Sequence, residues 1–320
     1  MMLAGLVLLL AGANYLVDSS VAIAKRAKIS DFVIGLTIVG FGTSSPELFV
    51  SMSSALQNMG DIALGNVLGS NICNIMLILG VTSLIKPVVM ERSNIRRDVP
   101  FTIGVSVLLA VMCYWGYILG DDTLSLSRWA GIVLLLCFAA FMAYAFKYGK
   151  NQPEPVFDEE TEEKQSKIEK LPVWALALTA VISLGLLIYG GDMFVDSAVV
   201  TAKALGMSDF VISTTIIAVG TSLPELITCI IAAIKGNPQI ALGNVLGSNI
   251  FNILMILGIS STVQPLMLNG VNFVDFAVMI VAAIFVYVFA FTLGKRKIDR
   301  IEGAFFVTGY ILYIIYLLNK

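Results

Sequence analysis

The chain contains no histidine, and this absence excludes several classes of protein at once. Ser-His-Asp triads, HExxH metalloprotease sites and histidine proton relays each need an imidazole. Cysteine is scarce as well, and the four cysteines stand singly in apolar segments without metal-ligand or disulfide spacing. We interpret these four as reduced packing residues: Cys73, Cys113, Cys137 and Cys229.

Charged residues are also few. They make up 13% of the 320 residues, whereas hydrophobic residues make up 58%, and the mean hydropathy is +0.90. This composition is typical of polytopic membrane proteins and lies outside the range of soluble domains. A net charge of −2 predicts no nucleic-acid partner. We expect membrane lipid around the protein, and we expect no cofactor and no obligate protein partner.

The N-terminal apolar run, residues 3–10, lacks the basic region that precedes the apolar core of a signal peptide. Its continuation, Val17-Asp18-Ser19, recurs at residues 195–197 in the second half of the chain. We therefore interpret this run as the first spanning helix.

The chain carries an internal duplication at a constant offset of 178 residues. Residues 38–48 are IVGFGTSSPEL and residues 216–226 are IIAVGTSLPEL, while ALGNVLGSNI occurs verbatim at 63–72 and at 241–250. The alignment runs without a gap from 12–87 onto 190–265, with about half of the positions identical. The fold is therefore expected to consist of two homologous halves.

Apolar runs predict ten spanning helices, five in each half, of which the second and seventh are broken at Pro46 and Pro224. The first five lie near 2–24, 31–57, 62–85, 99–118 and 128–147. The second five lie near 172–202, 209–234, 240–263, 272–293 and 301–318. The predicted organisation is a five-helix repeat over 1–150, a polar linker over 151–171 and a second five-helix repeat over 172–320.

The distribution of Lys and Arg predicts the orientation in the membrane. With the N-terminus outside, only Arg128, Lys203 and Lys320 fall outside, and every other basic residue lies inside. We therefore predict both termini outside and a cytoplasmic central loop. Because each half has an odd number of helices, the second half must insert upside down. The predicted fold is an all-α polytopic membrane protein with an inverted-topology repeat.

The first broken helix places Glu47 near the depth of the bilayer where a carboxylate is most costly and needs a partner. Pro46 supplies no backbone N–H, so carbonyls near Gly40 lose helical partners. Thr43 and Ser44 lie one turn before Glu47 on the same helix face. These hard oxygens suit Na⁺, Ca²⁺ or Mg²⁺. If this motif occurred only once in the chain, the alternative to a cation site would be a kinked structural helix in which Glu47 pairs with a buried cation.

Polar stripes mark the helices that follow the broken ones. Asn66, Ser70 and Asn74 lie four residues apart and share one face of the third predicted helix, and the eighth repeats this spacing. We interpret the first members, Asn66 and Asn244, as interhelical hydrogen-bonding residues. The remaining members are ligand candidates: Ser70, Asn74, Ser248 and Asn252.

Two inverted halves with broken helices are typical of secondary transporters that work by alternating access. A channel could carry the same acids, but a pore does not need duplicated and inverted broken helices. A membrane enzyme ranks lower, because neither Ser44 nor Ser222 has an obvious general base.

The two G-T-S-x-P-E motifs, each followed by G-N-x-x-G-S-N-I-x-N, resemble the two α-repeats of the cation/calcium exchanger superfamily, and most of all its prokaryotic Na⁺/Ca²⁺ exchangers. The resemblance covers essentially the whole chain. It implies four cation sites in a diamond, one for Ca²⁺ and the others for Na⁺. It also implies that the first and sixth helices slide across this core as the gate.

The resemblance further implies a ligand set. For Ca²⁺ it implies Glu47 and Glu225 with the backbone carbonyls of Thr43 and Thr221. For Na⁺ it implies Ser44, Ser70, Ser222 and Ser248 with the carbonyls of Gly40 and Ala218. Asn74 and Asn252 would lie at the centre.

Two positions depart from the family pattern. Asn252 stands where some archaeal members and the potassium-dependent exchangers carry aspartate, which weakens the case for K⁺ co-transport. Ser45 stands where Leu is usual, and the pattern does not explain it. We expect an electrogenic Na⁺/Ca²⁺ antiporter of the plasma (inner) membrane that expels Ca²⁺. Antiport of protons against Ca²⁺ or another divalent cation is the alternative.

Overall fold

A computed structural model of the chain describes residues 1–27, 29–118, 124–149, 171–206, 218–268, 271–292 and 296–319. These residues are helical apart from loops and four short strands. Within the described ranges, seven helices are long and apolar enough to cross a membrane, and one bent pair could form an eighth span. Two further apolar helices are shorter, Leu223–Ile234 and Phe273–Phe289.

We number the helices in chain order. Those of the first half are α1 (Met2–Ala27), α2 (Asp31–Thr43 and Ser45–Leu56), α3 (Gly60–Ile85), α4 (Asn94–Ile118) and α5 (Arg128–Gly149). Those of the second half are α6 (Val173–Ala204), α7 (Leu223–Ile234), α8 (Pro238–Val263), α9 (Phe273–Phe289) and α10 (Arg300–Leu318). Every helix lies on a predicted apolar run.

Some predicted ends differ from the observed ones. The helix expected from 99 begins at Asn94, because the π-helical turn Asn94–Asp98 precedes it. Residues 151–170 of the predicted linker and the first part of the predicted seventh helix, 209–217, lie outside the described residues.

The bend in α2 has a local cause. Its two pieces meet at an angle of 48° around Ser44, whose φ of −83° and ψ of 9° interrupt the helix. Pro46 lies in the first turn of the second piece, where a missing N–H leaves no helical bond unmade. Ser222 and Pro224 repeat this arrangement before and within α7. The break therefore falls at the serine, just before the proline.

Helices α3 and α8 lie at the centre of the fold and share an unusual local structure. Each contains a seven-residue π-helical segment, Cys73–Leu79 in α3 and Phe251–Leu257 in α8. These segments are related by the 178-residue offset of the duplication and contain Asn74 and Asn252. Such π-helical turns are frequent at functional sites.

Glycines allow the central helices to approach closely. A Cβ on Gly243 would meet the backbone carbonyl of Phe32, so α8 packs directly against the first piece of α2. A Cβ on Gly190 of α6 would lie 2.8 Å from the backbone nitrogen of Leu9. Gly12 approaches Ser183 in the same way, so α1 and α6 run antiparallel along each other.

Four short strands connect the two halves. β1 (Val88–Val89) pairs antiparallel with β4 (Lys297–Ile298), and β2 (Leu124–Leu126) pairs antiparallel with β3 (Leu266–Leu268). Because β1 precedes α4 and β2 follows it, the two sheets lie at opposite ends of that helix. The all-α prediction omitted these strands, since strands of two or three residues carry no periodic signal.

Candidate cation-binding site

Two buried carboxylates lie where the broken helices resume. Glu47 is in the first turn after the break in α2, and Glu225 is in the first turn of α7. Both are 1% exposed, and the free N–H groups of a first helical turn favour a negative charge there. Ser44 Oγ donates to Glu225 Oε1 at 3.3 Å, and Thr221 lies against the Glu47 carboxyl group. Each break thus contacts the acid of the other half.

Helix α3 borders the same space. Cys73 lies close to both glutamates and to Ser222, and Asn74 is the next residue along α3. Ser70 is buried one turn before Asn74 on that helix. The two acids, the second break and α3 therefore enclose one buried region.

Five buried side-chain oxygens on the two acids, the second break and the asparagines of α3 and α8 have no hydrogen-bond partner among the described residues. Buried polar atoms are nearly always paired, so a group of unpaired ones indicates a place for a ligand. All five are hard oxygens, which bind Na⁺ and Ca²⁺ in preference to softer metals. They are Oε2 of Glu47, Oε2 of Glu225, Oδ1 of Asn74, Oδ1 of Asn252 and Oγ of Ser222.

The region does not have the composition of a zinc or copper site. In the described part of the chain, no group of three or more His, Cys, Asp and Glu residues could hold a metal ion. Two carboxylates surrounded by hydroxyl and amide oxygens suit an ion that exchanges readily.

The break in α2 also packs on α8. Thr43 Oγ1 lies within donating distance of two acceptors, the Val39 carbonyl at 3.1 Å and Asn244 Oδ1 at 3.2 Å, and its single O–H can bond to either. Ser248 Oγ donates to the Gly40 carbonyl at 3.5 Å. The last carbonyls of a helix carry partial negative charge, so the end of the first piece of α2 favours a cation.

Ala218 begins the single helical turn Ala218–Gly220, which precedes Ser222 in the second half. The predicted site residues thus come from the two breaks, α3 and α8. Their individual ligand roles stay predictions.

The predicted interhelical role of Asn66 and Asn244 is confirmed. Asn66 Nδ2 donates to Ser51 Oγ at 3.0 Å and to the Glu47 carbonyl at 3.3 Å, joining α3 to α2. Asn244 Nδ2 contacts Cys229 Sγ at 3.3 Å, joining α8 to α7.

Two asparagines of the central network, Asn71 and Asn249, were not among the predicted site residues. Each is buried and bonds to an asparagine of the other half, Asn252 and Asn74 respectively, at 3.0 Å. The four-residue stripe that starts at Asn66 does not include Asn71. The signal that could have found the pair is their verbatim repetition in ALGNVLGSNI.

Comparisons with known proteins agree on one family. The family described as "Sodium/calcium exchanger protein" matches residues 1–147 and 175–319. The sodium/calcium exchanger MaX1 of Methanosarcina acetivorans is 34% identical over 344 residues, covering 99% of this chain and 97% of that protein. The inner membrane protein YrbG of Escherichia coli is 33% identical over 320 residues, covering 98% and 94%.

A solved structure matches along nearly the whole chain. It is of the sodium-calcium exchanger NCX_Mj soaked with Na⁺ and Sr²⁺, and it superposes with a TM-score of 0.80 at 32% identity. The match covers 98% of this chain and 96% of that one.

Proposed function

Because the chain belongs to the sodium/calcium exchanger protein family, we propose that it is a Na⁺/Ca²⁺ antiporter that expels Ca²⁺ from the cell. Members of this family are membrane transporters of cations and not enzymes. The observation that carries the proposal is the buried pair Glu47 and Glu225, each with one oxygen unpaired among the described residues.

The site has two kinds of ligand, which suit two kinds of ion. Glu47 and Glu225 together supply two negative charges, which balance one Ca²⁺ after it has lost its hydration shell. The surrounding hydroxyl and carbonyl oxygens are neutral and suit Na⁺. The proposed ligands are Glu47, Glu225, Thr43, Thr221, Ser44, Ser222, Ser70, Ser248, Asn74, Asn252, Gly40 and Ala218.

We further propose that ten spanning helices form two inverted five-helix repeats, over 1–150 and 172–320, joined by the linker 151–171. The antiparallel packing of α1 and α6, which are equivalent in the duplication, supports the inversion. The strand pairing supports it as well. α3 ends at the β1–β4 sheet and its equivalent α8 ends at the β2–β3 sheet, at the other end of α4.

The β1–β4 end is proposed as the cytoplasmic end, with both termini outside. Basic residues flank the two strands of that sheet in sequence, which favours the cytoplasmic side. They include Lys86, Arg92, Arg96, Arg97, Arg296, Lys297 and Arg300. We place the protein in the plasma (inner) membrane, and the name of the related inner membrane protein YrbG supports this.

Exchange is proposed to be electrogenic. One Ca²⁺ neutralises the two carboxylates, so any number of Na⁺ above two carries a net positive charge through the membrane. Moving one unit charge across the full field involves about 2.3 kcal/mol per 100 mV. An interior-negative potential should therefore slow Ca²⁺ uptake by vesicles loaded with Na⁺.

Purified protein in liposomes tests this function. Vesicles loaded with Na⁺ are diluted into buffer that lacks Na⁺ and K⁺ and contains labelled Ca²⁺. We expect Ca²⁺ uptake that disappears when a Na⁺ ionophore removes the gradient. The matched control is Glu225→Gln, reconstituted at the same protein-to-lipid ratio.

A second set of vesicles carries a pH gradient and no Na⁺ gradient. Uptake that ignored the Na⁺ gradient and followed the pH gradient would overturn the proposal in favour of H⁺/Ca²⁺ antiport. Strict dependence on added K⁺ would overturn only the interpretation of Asn252.

A further inference from the structure

Asn71 and Asn249 occupy equivalent positions in the two halves and contact each other where α3 and α8 cross. Asn71 Nδ2 donates to the backbone carbonyl of Asn249, and Asn249 Nδ2 donates to the backbone carbonyl of Asn71, both at 3.3 Å. Their side chains are 0% and 1% exposed. The contact is thus reciprocal and shielded from water.

This contact determines how each amide is turned. A backbone carbonyl only accepts hydrogen bonds, so Asn71 must direct its NH₂ group towards Asn249 and its Oδ1 away from it. Oδ1 of Asn71 lies 3.0 Å from Nδ2 of Asn252. Because Oδ1 also only accepts, Asn252 must present its NH₂ group there and direct its own Oδ1 elsewhere.

The same reasoning applies to the other half. Asn249 Oδ1 accepts from Asn74 Nδ2 at 3.0 Å, which leaves Asn74 Oδ1 free of that contact. In the described residues, Oδ1 of Asn74 and Oδ1 of Asn252 are buried without a hydrogen-bond partner, like one oxygen of each site glutamate. The bonding pattern thus uses an N–H group of Asn74 and of Asn252 within the network and leaves their carbonyl oxygens without a partner among the described residues.

We propose that Asn71 and Asn249 are positioning residues of the cation site, each orienting the ligand asparagine of the opposite half so that its carbonyl oxygen faces the ion. This role rests on the proposed function. Without Asn71 the amide of Asn252 could rotate and point its N–H groups, which carry partial positive charge, at the cation. One ligand would then become a source of repulsion.

The arrangement predicts a crosswise pattern of coupling. Asn71 acts through Asn252, which is 181 residues away in sequence, and not through Asn74, which is three residues away. Asn249 acts through Asn74. A residue that only packs helices would show no such pairing.

A double-mutant cycle on Ca²⁺ binding tests the proposal. The dissociation constant for Ca²⁺ is measured by calorimetry on detergent-purified protein for Asn71→Ala, Asn252→Ala and the double variant. We expect each single change to weaken binding about tenfold, since an oriented polar ligand is lost in both. The double variant should bind no more than about twofold more weakly than the weaker single variant.

The matched control combines Asn71→Ala with Asn74→Ala. These two residues share no hydrogen bond in the network described above, so their effects on Ca²⁺ binding should multiply. The cycle of Asn249→Ala with Asn74→Ala should repeat the non-additive result. This second cycle tests the positioning role in the same way if Asn71→Ala fails to fold.

The outcomes separate the positioning role from the function itself. Wild-type protein that binds no Ca²⁺ overturns the proposed function and the positioning role together. Wild-type protein that binds Ca²⁺, with effects of Asn71→Ala and Asn252→Ala that multiply, overturns only the positioning role.

Discussion

The two halves of the molecule place equivalent residues at the centre, although Ser44 bonds Glu225 while the equivalent Ser222 has no hydrogen-bond partner among the described residues. Asn66 contacts Ser51 in the first half, and the equivalent Asn244 contacts Cys229 in the second. Glu47 and Glu225 each occupy the first turn after a serine break. The proposed antiport requires the site to bind the same ions from either side of the membrane, which would favour two similar halves.

Outside the centre the halves differ. Lys235, after α7, donates to Asp18 Oδ1 at 2.5 Å and to the Asn14 carbonyl at 2.9 Å, so it attaches α7 to α1. The equivalent of Lys235 is Gln57, which bonds to Ser53 within α2. On the proposed function, we expect ion binding to depend on the shared centre, and we expect differences between the two orientations of the transporter to depend on the outer helices.

The largest expected effect comes from breaking the symmetry of charge at the centre. Glu47→Gln and Glu225→Gln should each reduce Ca²⁺ exchange by about 100-fold or more, because a dehydrated Ca²⁺ needs both carboxylates. Initial Ca²⁺ uptake by proteoliposomes measures the loss, and size-exclusion chromatography checks that each variant is folded. Near wild-type exchange by either variant would show that the two acids are not both ligands.

A smaller effect is expected from adding a charge to one half only. The family resemblance implies three Na⁺ per Ca²⁺. The Ca²⁺-loaded wild-type core is neutral, because one Ca²⁺ balances the two carboxylates. Ca²⁺/Ca²⁺ exchange by the wild type should therefore ignore the membrane potential. Asn252→Asp gives that core a charge of −1, so its Ca²⁺/Ca²⁺ exchange should respond by up to about 2.3 kcal/mol per 100 mV.

The measurement is labelled Ca²⁺ exchange between equal Ca²⁺ concentrations, with the potential set by an ionophore. Asn74→Asp is the matched variant in the first half and should respond in the same sense. Voltage-sensitive Ca²⁺/Ca²⁺ exchange in the wild type would contradict the charge count.

Much of this comparison could be predicted from sequence, because duplication and apolar runs report directly on helices. The broken helices, the acids and the polar stripes are all visible as repeated letters. The crosswise bonds of Asn71 and Asn249 were not predictable from helical spacing, since they depend on how α3 and α8 cross. Ser45, which the family pattern did not explain, donates to the Phe41 carbonyl at 3.2 Å across the break.

Neutral ligands should matter less than the acids and should separate the two ions. Ser70→Ala and Ser248→Ala should each raise the Na⁺ concentration for half-maximal exchange about threefold to tenfold, because each variant loses one oxygen ligand. The Ca²⁺ concentration should shift less, because the carboxylates dominate Ca²⁺ binding. Titrations of both ions on the same vesicles measure the shifts. Equal shifts for Na⁺ and Ca²⁺ would indicate that these serines only pack helices.

The smallest expected effect concerns the outer helices, where the halves differ. Burial lowers the pKa of Lys235, and the hydrogen bond to Asp18 opposes that shift. The pair is about one-fifth exposed, so we expect it to contribute roughly 1 kcal/mol of stability.

Lys235→Gln makes the second half resemble the first and should speed amide hydrogen exchange in α1 about fivefold, leaving α6 unchanged. Gln57→Ala is the matched control, since Gln57 bonds only within α2 in the contacts described here. Equal exchange of α1 in wild type and Lys235→Gln would show that the ion pair does not hold α1.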